Sequence, residues 1–136
     1  MKKFLPFVLV ALLASCEIYL FEDPNGWDDR DLFVGSYRVE EYSQTTDNIY
    51  SYNITIQKSC CRSDEVRISN FYGSDLRVYG YVRDNRLTIP LQKEDGYEVE
   101  GTGRISGGRL EITFIARDLL SHPTFTDFVD MEGWPY

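Results

Sequence analysis

From Gly35 to Val129 the chain alternates apolar and polar residues in short runs, each closed by a turn signal. Tyr50–Gln57 is the cleanest run: Tyr50, Tyr52, Ile54 and Ile56 fall on every second position, which gives a strand one buried face and one wet face. Val66–Phe71 and Leu76–Arg83 repeat the pattern. Asp84-Asn85 and Gly107-Gly108 supply the left-handed backbone that two-residue hairpins demand, and Glu94-Asp95-Gly96 turns the chain into the run that starts at Tyr97. Pro90 is expected to close the strand Arg86–Ile89, because proline cannot donate to a central ladder. With Tyr37–Tyr42 at the front, Tyr97–Ser106, Leu110–Arg117 and a final run over Thr124–Val129, eight strands are predicted and no helical period competes.

Eight short strands joined mostly by tight turns predict an all-β fold, an antiparallel up-and-down barrel that closes on itself. Closure removes the exposed edges an open sheet must protect. A two-sheet sandwich is the structural rival, but it needs a long crossover that the middle of the chain does not offer. Ten Tyr, eight Phe and frequent β-branched residues point the same way.

The amino terminus is of another kind. Lys2 and Lys3 precede an apolar stretch, Phe4–Ala14, too short for the ~20 residues of a membrane-spanning helix. Leu13-Ala14-Ser15-Cys16 resembles a bacterial lipobox. That resemblance implies a diacylglyceryl group on Cys16, cleavage before it, and acylation of the new amino terminus. The expected divisions are a lipoprotein signal peptide over 1–15, a lipidated terminus and linker over 16–33, and one β domain over 34–136. Two or more acyl chains hold a protein durably. The expected site is the bacterial cell envelope, with the outer membrane ahead of the inner and the periplasmic or surface face left open. Cleavage shortens the chain from 136 residues to 121 and, by removing Lys2 and Lys3, moves the formal net charge from −8 to −10. So acidic a domain does not suit nucleic acid.

The succession Val34–Val39, Tyr52–Ile56, Val66–Phe71, Asn85–Gln92 and Gly101–Ser106 resembles small bacterial lipocalin-like lipoproteins. Ile68-Ser69-Asn70-Phe71 and Leu87-Thr88-Ile89-Pro90 are its more discriminating pieces, and Gly35-Ser36-Tyr37 is similar to the Gly-x-Trp that opens true lipocalins, with Tyr in place of Trp. The resemblance implies a lipobox, a brief linker and one calycin-type barrel.

Candidate chemistry is sparse. Cys60-Cys61 are neighbours, and with Cys16 reserved for lipid they have only each other within the chain for a vicinal disulfide; the rival reading is a rigid turn or two idle thiols. Asp64, Glu65 and His122 lack metal-ligand spacing with that pair, so no metal or other cofactor is expected. His122, the lone histidine, lies in a loop-like Ser121-His122-Pro123. Glu98 and Glu100 share a strand face and read as its solvated side. Gly101-Thr102-Gly103 precedes no helix and so is not a phosphate loop. Arg104 and Arg109 read as edge protection. No catalytic residue is expected.

Two functions remain. In the first, a small apolar or aromatic ligand enters the barrel, with Tyr50, Tyr52, Ile54, Leu76, Val78 and Phe114 as wall residues. In the second, the interior is packed solid and exposed aromatics, Tyr72, Tyr79, Tyr81 and Trp134, meet another envelope protein. A cavity in the fold favours the first; a solid core beside an exposed apolar patch favours the second.

Overall fold

The computed structural model describes residues 26–136, so the signal peptide, Cys16 and much of the linker lie outside the described residues. A single 3-10 turn, Asp29–Leu32, precedes eight strands: β1 (Gly35–Ser43), β2 (Asn48–Lys58), β3 (Glu65–Phe71), β4 (Leu76–Arg83), β5 (Arg86–Glu94), β6 (Tyr97–Ser106), β7 (Arg109–Asp118) and β8 (Phe125–Pro135). Each strand pairs antiparallel with the next, and β8 returns to β1 over Tyr37↔Pro135 to Ser43↔Val129. The result is the up-and-down barrel that the alternation predicts. One continuous closed sheet with no crossover rules out the sandwich.

Inward positions fill the barrel. Ile54, Ile56, Val66, Ile68, Leu76 and Val78 join Leu87, Leu110, Ile112 and Phe114 in one core, each at most 1% exposed. Eight strands leave an interior that side chains can just fill. Packing is closest beside β6, where Gly101 stands opposite Phe114. A Cβ there would lie 2.5 Å from both the Phe114 Cβ and the Thr113 carbonyl oxygen, so only glycine fits.

Two strands differ from expectation. β5 does not stop at Pro90 but runs on to Glu94, because a register shift between Ile89 and Gln92 puts the proline where no ladder bond is needed. The main-chain pairing of β4 with β5 covers only Tyr81–Arg83 against Arg86–Thr88. Beyond it, Gln92 extends the contact through its side chain: Oε1 accepts the Tyr79 N–H at 3.0 Å and Nε2 donates to the Tyr79 carbonyl at 2.9 Å. β8 also runs past Val129 to Pro135, which gives β1 its partner.

The barrel has two unlike ends. The base holds the chain's entry, the β2–β3 loop, the β4–β5 and β6–β7 turns and the carboxy terminus. Residues 28–33, expected as linker, form part of it. Asp28 accepts the Arg30 N–H at 3.0 Å, a side-chain cap on the 3-10 turn, and the Arg30 guanidinium beside it holds the Asp28 carboxyl well below the usual range. Arg30 Nη1 also donates to the carbonyls of Ser59, Arg62 and Glu65, at 3.3, 2.9 and 3.3 Å. The Asp84 N–H donates to Asp29 Oδ2 at 2.8 Å. These bonds fix the turn so that Phe33 enters the core, where it is fully buried, and its carbonyl accepts from the Tyr37 hydroxyl at 2.9 Å.

If Phe33 plugs the base, Phe33→Ala should cost about 3–5 kcal/mol in urea unfolding. Val34→Ala, next door but 41% exposed, should stay within about 0.5 kcal/mol. Equal losses would mean that the segment adds no plug.

Candidate functional site at the barrel mouth

At the opposite end the inward face changes character. Along β1 the inward residues run Tyr37, Val39, Glu41, Ser43, all buried: the first two close the core, the last two are polar. β8 makes the same change from Met131 and Val129 to Asp127, and β2 from Ile56 and Ile54 to Tyr52. Glu41 and Asp127 are each only 2% exposed. Above this polar layer lies a cavity of about 390 Å³, walled by Glu41, Asp127, Tyr50, Tyr52, Tyr72 and Phe125 and edged by the β1–β2 and β3–β4 turns.

The β3–β4 turn supplies Tyr72. A register shift between Ser69 and Phe71 and left-handed backbone at Asn70, Tyr72, Gly73 and Asp75 bring it over the mouth. Asn70 braces the turn: Nδ2 donates to the Asn53 carbonyl at 2.8 Å, and Oδ1 accepts the Asp75 N–H at 3.1 Å. Gly73 lies flat on the Tyr52 ring, where a Cβ would sit 3.2 Å from the ring edge. Edge-on contacts with Tyr97 and Phe114, at 5.8 and 5.9 Å between centroids, hold the Tyr72 ring.

Hydrogen bonds organise the polar layer. The Tyr72 hydroxyl donates to Asp127 Oδ2 at 2.7 Å, Ser43 Oγ donates to Asp127 Oδ1 at 2.5 Å, and the Tyr52 hydroxyl donates to Glu41 Oε2. Thr46 donates to Ser43 Oγ through both its N–H, at 3.1 Å, and its hydroxyl, at 2.9 Å. Burial pushes the Glu41 carboxyl up to about 7, against the Tyr52 bond and with help from the nearby Asp127 charge. Burial, then the Glu41 charge, drives the Tyr52 phenol far above its ordinary range; burial, then the Asp127 bond, does so for Tyr72.

Of the six expected wall residues, Tyr50 and Tyr52 line this cavity. Ile54, Leu76, Val78 and Phe114 do face inward, but they are packed into the core and do not line the cavity. Sequence reasoning missed Glu41, Ser43, Phe125 and Asp127, and placed Tyr72 on the outer surface. The period-two phase from Tyr37 through Val39 already leads to Glu41, and that from Met131 through Val129 to Asp127.

The remaining candidates resolve into surface chemistry. Arg117 pairs with Glu98 and Glu100, at 3.1 and 3.3 Å. Arg104 and Arg109 both hold Glu111, at 2.7 and 2.6 Å; in a closed barrel they guard no edge. Ser121 donates to Asp118 at 2.7 Å, and no hydrogen bond joins it to His122. Cys60 and Cys61 are exposed at the base, with their sulfurs 2.8 Å apart. Among the described residues no group of three metal-ligating side chains comes together. Tyr79 is 39% and Trp134 41% exposed, while the Arg62 guanidinium lies 4.4 Å above the Tyr81 ring centroid.

No family model matches the chain, and no curated protein does. Among solved structures it is similar to a redesigned β-barrel, with a TM-score of 0.58, 8% identity, and coverage of 80% of this chain and 96% of that one. That likeness speaks to the fold alone. A second structure, the zebrafish ileal bile acid-binding protein complexed with cholic acid, aligns with a TM-score of 0.45 and 14% identity over 77% of this chain and 99% of that one.

The Glu41 carboxyl makes stability depend on pH. The native state keeps its proton up to about 7, whereas an unfolded chain gives it up near 4.5. The contribution is therefore complete below about 4.5 and lost as pH rises through 7, to a total of about 3 kcal/mol. Denaturant unfolding at pH 5 and pH 8 should show that loss in the wild type and a much flatter profile in Glu41→Gln. An unchanged slope in the variant would exclude Glu41 as its source.

Proposed function

We propose that this chain is a lipid-anchored, lipocalin-like protein of the bacterial cell envelope, held by Cys16 at the outer membrane, and that it binds a small ligand with an apolar or aromatic body at the barrel mouth. It is a binding protein rather than an enzyme. The observation that carries the reading is the mouth cavity, whose volume of about 390 Å³ falls among small-molecule sites and which mixes aromatic walls with a few convergent polar groups. Exposed Ile49, Tyr50, Phe125 and Phe128 give its surroundings apolar area. The filled core restricts the ligand to the mouth. The described chain enters at the base, the end opposite the mouth.

Protein extracted from its native envelope and examined by native mass spectrometry should carry acyl chains and a small-molecule adduct. Ser74→Trp, which crowds the cavity from the β3–β4 turn, should abolish the adduct; its retention there, or its absence from the wild type, would overturn the mouth as the site. Separately, Cys16→Ser should move the protein from the membrane to the soluble fraction, and firm membrane attachment of that variant would overturn the anchor.

A further inference from the structure

The inner polar layer of the mouth has its hydroxyl donors turned inward on its carboxyls. Its inner hydroxyl protons are already committed: Tyr52 to Glu41, Tyr72 and Ser43 to Asp127, Thr46 to Ser43. Ser74 Oγ donates to the Tyr72 carbonyl at 3.1 Å. What this inner layer leaves toward the cavity is acceptor once Glu41 has lost its proton: the hydroxyl lone pairs and the second oxygen of Glu41, which no hydrogen bond from the described residues reaches; the Tyr50 and Ser51 hydroxyls also line the cavity. Among the described residues no Lys, Arg or His lines the cavity. Two carboxyls from different strands, both nearly excluded from water, thus face one space with no cation beside them. Such groups are costly unless neutral or paired.

We infer that the ligand of the mouth is an organic ammonium, a primary or secondary amine on an apolar or aromatic body, whose N–H groups donate to Glu41 and whose charge sits among the rings of Tyr52, Tyr72 and Phe125. The inference rests on the mouth being a ligand site and specifies the charge of what enters it. A charge-assisted bond to a carboxylate outweighs a neutral one, and aromatic faces attract a desolvated ammonium. A bare metal ion fits less well: Asp127 already accepts a bond on each oxygen, and no third ligating side chain joins the pair. In the empty site Glu41, faced by Asp127 from β8, Tyr52 from β2 and Tyr72 from the β3–β4 turn, holds its proton up to about pH 7. An arriving ammonium displaces that proton: the Glu41 O–H bond breaks, the proton leaves to solvent, and the carboxylate accepts the ligand's N–H.

Three probes of one skeleton test this on the full-length protein in detergent by calorimetry: 3-phenylpropylamine, 3-phenyl-1-propanol and 3-phenylpropanoate. The amine should bind about tenfold or more tighter than the alcohol, and the carboxylate least. At pH 6 the amine should release close to one proton per site, read from the dependence of heat on buffer ionisation. Glu41→Gln should reduce the amine to the affinity of the alcohol and abolish the release. In Tyr52→Phe, which keeps the carboxyl but removes its donor, amine binding should set in at higher pH; an unchanged onset would exclude Glu41 as the partner. Equal binding of amine and alcohol, or tighter binding of the carboxylate, would overturn the ammonium while leaving the mouth a ligand site. Failure of all three to bind would overturn both readings.

Discussion

Everything in this molecule depends on the ladder between β1 and β8. Those strands are the first and last of the described residues, and their pairing turns a meander into a cylinder with no free edge. The ladder also fixes the phase of both strands. With Glu41 paired to Met131 and Ser43 to Val129, a slip of one residue in β1 would put Val39 in solvent and Tyr42 inside, and the same slip in β8 would do so for Met131 and Phe128. Register and closure are thus one decision, and the mouth inherits its geometry from it.

The inward face is graded along the barrel axis. Phe33 and Tyr37 fill the base, aliphatic side chains fill the middle, and carboxyls with tyrosines finish the mouth. Because packed side chains fill the middle of this barrel, a deep ligand chamber is not available. The acidic layer is different from a solvated rim: its members are buried and bonded to one another across β1, β2, β8 and the β3–β4 turn. A purely structural cap would be more stable with apolar residues of the same size, since buried carboxyls lose hydration that tyrosine donors restore only in part. Local rules violated at a coherent site are where function is expected.

How much of this was legible in the sequence follows from which rule each element obeys. Period-two alternation with turn residues at Asp84-Asn85, Glu94-Asp95-Gly96 and Gly107-Gly108 carried the strands, their order and closure. It failed at Pro90, where a bulge and the Gln92 side chain make up for the missing donor, a device visible only in three dimensions. It failed more instructively at the mouth. Glu40 and Glu41 are chemically identical neighbours, one exposed and one 2% exposed, and only the phase set by Tyr37 and Val39 separates them. Tyr72 gave no such signal: its place over the cavity comes from left-handed backbone in a turn whose neighbours, Asn70 and Gly73, hint at a bend but not at its direction.

The unlike ends also separate the chain's entry from the mouth. Arg30 and Asp29 bind the entering chain to two separate loops of the base, β2–β3 and β4–β5, and Asp28 braces Arg30, so the described entry is a rigid collar and not a hinge. Any pull transmitted through that collar falls on Phe33 and the core beneath it. The mouth lies a full strand length away, joined to the base only through the closed ladder. Its turns are therefore open to change in sequence without disturbing the collar at the base.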